Sequence, residues 1–167
     1  MKRRISTAAL FAVAACAAQP QDDLDGKSWE VQKTQLPSYP KSENLLRVHV
    51  SPSTAFEFFV DASSVSVGQD GIVRYTLIAR GTSGAVNVSY EGIRCLPLER
   101  KLYAFGRYDG AWSPARTPQW VRISRTQTSP QHAALAEDFF CADGVWVRTT
   151  EEAVQALRRG NIPGLGR

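Results

Sequence analysis

The chain has 167 residues, 43% hydrophobic and 22% charged, a length and balance that suit one soluble domain around a single core. Its formal net charge of +4 comes from 20 basic and 16 acidic residues, but Lys2, Arg3 and Arg4 sit in a segment expected to be removed, which leaves 17 against 16. A near-neutral domain lacks the basic surface that drives phosphate-backbone binding, so nucleic acid is excluded as a partner.

Residues 1–15 have a basic start followed by a short apolar run, the pattern of an export signal. The run from Ala8 to Ala15 is far shorter than the roughly 20 residues a spanning helix needs. Val13-Ala14-Ala15-Cys16 resembles a bacterial lipobox, with Val where Leu is more usual, and makes Cys16 the expected lipidation site and mature N-terminus. The alternative is cleavage after Ala17 or Ala18, leaving a soluble periplasmic protein. With lipid attached, Ala17 and the absence of Asp after Cys16 imply the outer membrane, facing the periplasm or the surface. Residues 16–27 are polar and lack apolar periodicity, so they read as a flexible tether.

The folded domain is expected over residues 28–141, with a helical extension over 142–167. Residues 28–31 read as a short edge strand and 35–44, with two prolines, as an irregular arm. Residues 45–50 alternate as a half-buried strand, broken at Ser51-Pro52-Ser53. A β-meander follows over 56–95. Residues 56–60 are strongly β-prone, and Val65 and Val67 share a face of the next short strand, with Asp61 and Ser64 as a turn cap between them. Gly68 to Ile72 reads as a three-residue hairpin loop with Gly71 left-handed, which pairs Val67 with Val73 and Val65 with Tyr75. A four-residue loop, Gly81 to Gly84, pairs Arg80 with Ala85, Tyr75 with Tyr90, and Arg74 with Glu91. Both registers place Val73, Tyr75, Leu77 and Ala79 on the apolar side, with Arg74, Thr76, Ile78 and Arg80 on a wetter one. The apolar phase shifts at Gly92, which predicts a β-bulge there that turns Cys95 toward the core. Residues 101–107 form a strand with Tyr103 and Phe105 on one face, and 120–123 a further short strand. Ser129-Pro130 predicts a helix start, running over 131–140 with Leu135, Ala136, Phe139 and Phe140 buried. A second helix over 150–159 has a capping box in Thr149 and Glu152 and stops at Gly160.

The cysteines are Cys16, Cys95 and Cys141. Lipidation of Cys16 accounts for the odd count and leaves Cys95 and Cys141 to pair in an oxidising compartment. Closing that loop removes about 4 kcal/mol of denatured-state entropy. The rival readings are two free buried thiols, or a thiol site with His132.

A set of motifs carries a resemblance. Leu36-Pro37-x-Tyr39-Pro40-Lys41-x-Glu43-Asn44-Leu45, Phe59-Val60-Asp61 with Ser64, Asp70-Gly71-x-Val73-Arg74-Tyr75, Gly84-Ala85-x-Asn87-Val88 and Tyr90-Glu91-Gly92-Ile93-Arg94-Cys95 fall in order. Tyr103-Ala104-Phe105-Gly106, Asp109-Gly110-x-Trp112, Trp120 and Phe139-Phe140-Cys141 follow. The pattern resembles the cryptic neisserial protein-like (CNP1-like) family of exported proteobacterial proteins over residues 29–141, a likeness that brings no catalytic residues with it. The order of elements is also similar to surface-adhesin protein E-like domains, lipoproteins implicated in binding host matrix proteins. That second likeness implies a Cys95–Cys141 staple, a small antiparallel sheet and, by fold-level analogy, adhesion.

For chemistry, His49 and His132 read as surface or structural residues, because no nucleophile, base and orienting group recur together. Glu137 and Asp138 are adjacent and point about 100° apart on a helix, a poor acid–base couple. No phosphate loop, zinc spacing or Gly-x-Ser-x-Gly occurs, so neither cofactor nor metal is expected. Tyr108, Trp112, Arg116, Trp120 and Arg122 gather aromatic and Arg side chains in one irregular stretch, a candidate interaction surface; the simpler reading is that the tryptophans cover an open side of the sheet. The expectation is therefore an α+β domain. Its antiparallel meander of about five strands is packed with one to two C-terminal helices and one disulfide. It serves as a non-enzymatic envelope lipoprotein, anchored by lipid in the outer membrane and binding an envelope protein or glycan. The alternatives are an exported enzyme acting on an envelope polymer and adhesin-like binding of host proteins.

Overall fold

A computed structural model describes residues 35–50, 54–124, 129–142 and 146–160. All lie in the second of two units into which the chain divides, residues 34–167. The expected signal (1–15), tether with Cys16 (16–27) and edge strand (28–31) lie outside the described residues. The alternating segments form one antiparallel sheet: β1 Leu45–Val48, β2 Phe56–Val67, β3 Val73–Gly81, β4 Val86–Arg94, β5 Glu99–Gly106, β6 Trp112–Pro114 and β7 Trp120–Arg122. Strands β1 to β5 are neighbours in chain order, and β6 and β7 both pair with β5. The sheet thus has seven strands rather than about five. The additional ladders, β6 and β7, are three residues each, too short for alternation to announce.

The expected break at Asp61–Ser64 is a bend within one strand. β2 runs through it, with its register to β3 shifting between Asp61 and Ser66. There Asp61 Oδ1 accepts the Ser63 backbone N–H at 2.9 Å. Ser64 Oγ donates to the Asp61 carbonyl at 2.7 Å and accepts the Thr76 N–H at 2.8 Å. The side chains replace the ladder bonds that the irregularity removes.

The first hairpin has the expected register at its end, with Val67 opposite Val73 and Ser66 opposite Arg74. Gly71 takes the left-handed conformation, φ 70°. The second hairpin differs by one residue. Gly81 N–H donates to Ala85 O at 2.8 Å, and the pairs are Arg80↔Val86, Thr76↔Tyr90 and Tyr75↔Glu91. A one-residue slip exchanges the faces of a whole strand. Val88 and Tyr90 therefore lie opposite to Tyr75 and Leu77, and Glu91 enters the core instead of meeting Arg74. Alternation could not separate the two registers because β3 is buried on both sides. Thr76 and Ile78, expected to be wetter, are 0% and 3% exposed.

The bulge also sits elsewhere. β3 pairs β4 without interruption through Arg74↔Gly92. The shift is between β4 and β5, where Tyr90 faces Ala104 and Glu91 faces Leu102, so Tyr103 is the extra residue. This turns Tyr103 outward, while Phe105, opposite Ser89, points to the other face. The two aromatics do not share a side.

The inner face of the sheet carries Val48, Phe58, Val60, Val73, Tyr75, Leu77 and Ile93, and the helices close over it with Leu135, Phe139, Phe140, Ala153 and Leu157. Helix α1, Pro130–Ala134, starts at Pro130 as expected, but Ser129 contributes its carbonyl to the His132 N–H and no side-chain cap. The helix continues as a π-helix, Leu135–Phe140, closed by Cys141 N–H to Ala136 O at 2.6 Å. Its wide turn keeps the expected stripe of Leu135, Ala136, Phe139 and Phe140 buried. Cys141 then meets Cys95 in a disulfide with Cα atoms 5.6 Å apart, within the span such bonds allow. Helix α2, Thr150–Gly160, has an offset capping box. Thr149 Oγ1 accepts the Glu152 N–H, but Glu152 Oε2 accepts from Arg148 N–H rather than from Thr149. Thr150 Oγ1 accepts the Val67 N–H at 3.1 Å, and Ala153 and Leu157 are fully buried. α2 is thus part of the core.

Candidate functional site

The outer face of the sheet, away from the helices, carries an aromatic and cationic row. It exists because β6 and β7 lie end to end along β5, with Trp112 opposite Gly106 and Trp120 opposite Lys101. Between them Tyr90 packs on Trp112 with centroids 6.2 Å apart and on Tyr103 at 5.7 Å. Tyr39, from the irregular arm, packs on Trp112 at 5.6 Å. The arm is held there by two bonds: Trp112 Nε1–H donates to Pro37 O and Tyr39 O–H to Arg107 O, both at 2.8 Å. Gly92 is required beneath Tyr103, since a Cβ there would lie 2.9 Å from the ring.

Cations fill the gaps between rings. Arg74 lies 5.9 Å from the Tyr103 centroid, Lys101 5.5 Å from Tyr103 and 5.7 Å from Trp120, and Arg94 4.5 Å from Trp120. Arg74 is also clamped to Asp70, with its closer contact at 2.6 Å, and Arg94 to Glu99. The Arg74 hydrogen bond holds the Asp70 carboxyl below its ordinary value. Burial raises the Tyr90 and Tyr103 hydroxyls above theirs, against the opposing charge of Arg74.

A second cluster lies inside, between β4 and α1. Glu91 Oε2 meets His132 Nε2 at 2.7 Å and accepts from the Tyr75 hydroxyl at 3.3 Å; Oε1 accepts from Ser89 Oγ at 2.7 Å. The Glu91 and His132 side chains are each 6% exposed. Burial alone would raise the Glu91 carboxyl, but hydrogen bonding from His132, the His132 charge and the Ser89 hydroxyl outweigh it and hold it below the ordinary range. Burial first, then the Glu91 charge, drives the Tyr75 hydroxyl well above its ordinary value. Among the described residues His132 Nδ1 has no hydrogen-bond partner. Ser89 bonds the carboxylate and not the imidazole, so the set lacks the nucleophile–base contact that acyl transfer requires.

Of the residues singled out in the sequence, Trp112 and Trp120 join one row. Arg122, opposite Glu99, extends it. Tyr108 is 98% exposed in the turn after β5, and Arg116 is exposed in the connection from β6 to β7; neither packs in the row. Tyr39, Arg74, Tyr90, Arg94, Lys101 and Tyr103 were missed as members. For Tyr90 the signal was strand parity, which the slipped register inverted; Tyr103 depended on the bulge in β5, and Tyr39 lies on the irregular arm, where no strand parity applies. Among the described residues no group of three or more His, Cys, Asp and Glu could hold a metal ion, and no helix is long and apolar enough to cross a membrane.

The family model described as "CNP1-like family" matches residues 24–158, which takes in the whole sheet, both cysteines of the disulfide and most of α2. No curated protein and no solved structure matches the chain.

Proposed function

The chain belongs to the CNP1-like family, and from that premise we propose that it is a non-enzymatic binding module of the cell envelope. Cys16 carries the lipid that anchors it to the outer membrane, and residues 16–27 tether the domain. Its binding face is the outer side of the sheet. The observation that carries this reading is the row of half-buried Trp112, Tyr103 and Trp120, in which buried Tyr90 joins Trp112 to Tyr103, Lys101 lies between Tyr103 and Trp120, and Arg74 and Arg94 flank Tyr103 and Trp120. Aromatic and Arg side chains with few rotamer freedoms left to lose are the usual anchors of recognition surfaces. The buried Glu91–His132 pair, by contrast, supports a structural role, since neither side chain is open to a substrate.

The test is a pull-down from intact envelopes with the parent protein and Trp120→Ala. A partner captured by the parent and lost by the variant is expected; equal capture by both would place recognition elsewhere. Mass spectrometry of the mature N-terminus and fractionation of Cys16→Ser test the anchor. Cys16→Ser that stays with the membrane would remove it from the proposal.

A further inference from the structure

We infer that the outer-face row is a platform for an acidic polysaccharide chain. This rests on the proposed binding face and adds the chemical class of its ligand. Three features carry it. The first is shape. Trp112 and Trp120 stand opposite Gly106 and Lys101 of one strand, about 15 Å apart at the usual strand rise, with Tyr103 between them. The rings therefore form a line along β5 suited to an extended chain.

The second is chemistry. Ile78 and Val88 on the same face are buried; half-buried Ile72 touches the Gly92 position beside Tyr103 and exposed Val86 lies two residues from Val88, so between the two tryptophans the row offers mainly rings and cations. A protein partner is anchored by apolar groups filling pockets. A sugar ring presents an electropositive C–H face, drawn to the same ring quadrupole that attracts cations, and its hydroxyls and carboxylates remain at the rim.

The third is charge. Among the described residues, Arg74 pairs with Asp70, Arg94 with Glu99 and Arg122 stands opposite Glu99, which leaves a cationic surplus with Lys101 on this surface. Lys101 pairs with no carboxylate among the described residues and lies between Tyr103 and Trp120, where a sugar carboxylate above the stacked ring would meet its ammonium group. The rings are already fixed, Trp112 by its bond to Pro37 and Tyr103 by its seat over Gly92, so little ordering accompanies binding.

The experiment titrates the full mature protein with polygalacturonate, with neutral dextran and with vesicles containing anionic phospholipid, reading tryptophan fluorescence. Saturable binding of polygalacturonate that weakens as salt rises and exceeds that of dextran is expected. Trp120→Ala and Lys101→Gln each weaken it about tenfold, the loss of one stacking or charge contact. Lys101→Gln removes the charge while keeping the first two methylenes and a polar end, and an unchanged melting temperature excludes unfolding. No binding of polygalacturonate at millimolar sugar, unchanged affinity in both variants, or equal affinity for the vesicles would each overturn the assignment. If Trp120→Ala loses an envelope partner while the parent ignores polygalacturonate, the binding face stands and this ligand class fails.

Discussion

Replacing Glu91 with Ala removes the acceptor on which the buried cluster depends. His132 Nε2, Tyr75 O–H and Ser89 O–H all converge on its two oxygens, and two of the three donors belong to residues no more than 5% exposed. Removing one partner of a buried charge pair costs about 3–5 kcal/mol, because the other groups stay desolvated and unpaired. For the unit spanning residues 34–167, an unfolding entropy of about 2.1 cal/mol/K per residue converts this to a fall in melting temperature of roughly 10–18 °C. Thermal and urea unfolding with the disulfide intact measure it. The double variant Glu91→Leu/His132→Phe, which replaces the carboxylate and the imidazole by apolar side chains of roughly similar shape, recovers more than half of the loss.

The same carboxyl sets a pH dependence. Its native value lies below the ordinary one, so the unfolded chain binds more protons and stability rises with pH. The contribution is complete above the unfolded value, about 4.3, and disappears as pH falls through the lower native value. Glu91→Gln flattens that acid slope. A cost below about 1 kcal/mol for Glu91→Ala, well short of the buried-pair range, would refute the reasoning, as would an acid slope unchanged in Glu91→Gln.

Two further outcomes test the scaffold. Cys95→Ser opens a loop of sequence separation 46 and costs about 4 kcal/mol in the chain-entropy model; peptide mapping without reductant recovers Cys95 and Cys141 as one linked pair in the parent, and two free thiols would contradict the structure. Gly92→Ala drives a methyl group against the Tyr103 ring 2.9 Å away and costs about 1–3 kcal/mol, as overpacking does. Gly92→Ala/Tyr103→Leu restores part of it, and additive losses would show that Tyr103 is not the obstacle.

The elements were legible where local chemistry decides them. Alternation located β1, β3, β4 and β5, the Gly71 turn set the first hairpin, Pro130 marked the start of α1, and Leu135, Ala136, Phe139 and Phe140 proved to be the buried stripe. The Cys95–Cys141 pair was expected from the cysteine count together with an expected export, and the disulfide is present.

Tertiary structure alone decided which face each half of the sheet presents. The middle of β3 is buried on both sides, so hydrophobic pattern permits either register with β4, and the turn closed by Gly81 N–H to Ala85 O goes with the observed one. That one-residue choice sends Tyr90 out to meet Tyr103 and Trp112, and sends Glu91 in to meet His132, 41 residues away. The bulge at Tyr103, invisible in strand periodicity, completes the outer row. Composition and spacing determine that this chain makes a stapled α+β domain. Which of its side chains are offered to a partner depends on long-range pairing, where two registers of nearly equal apolar match are separated by the geometry of one turn.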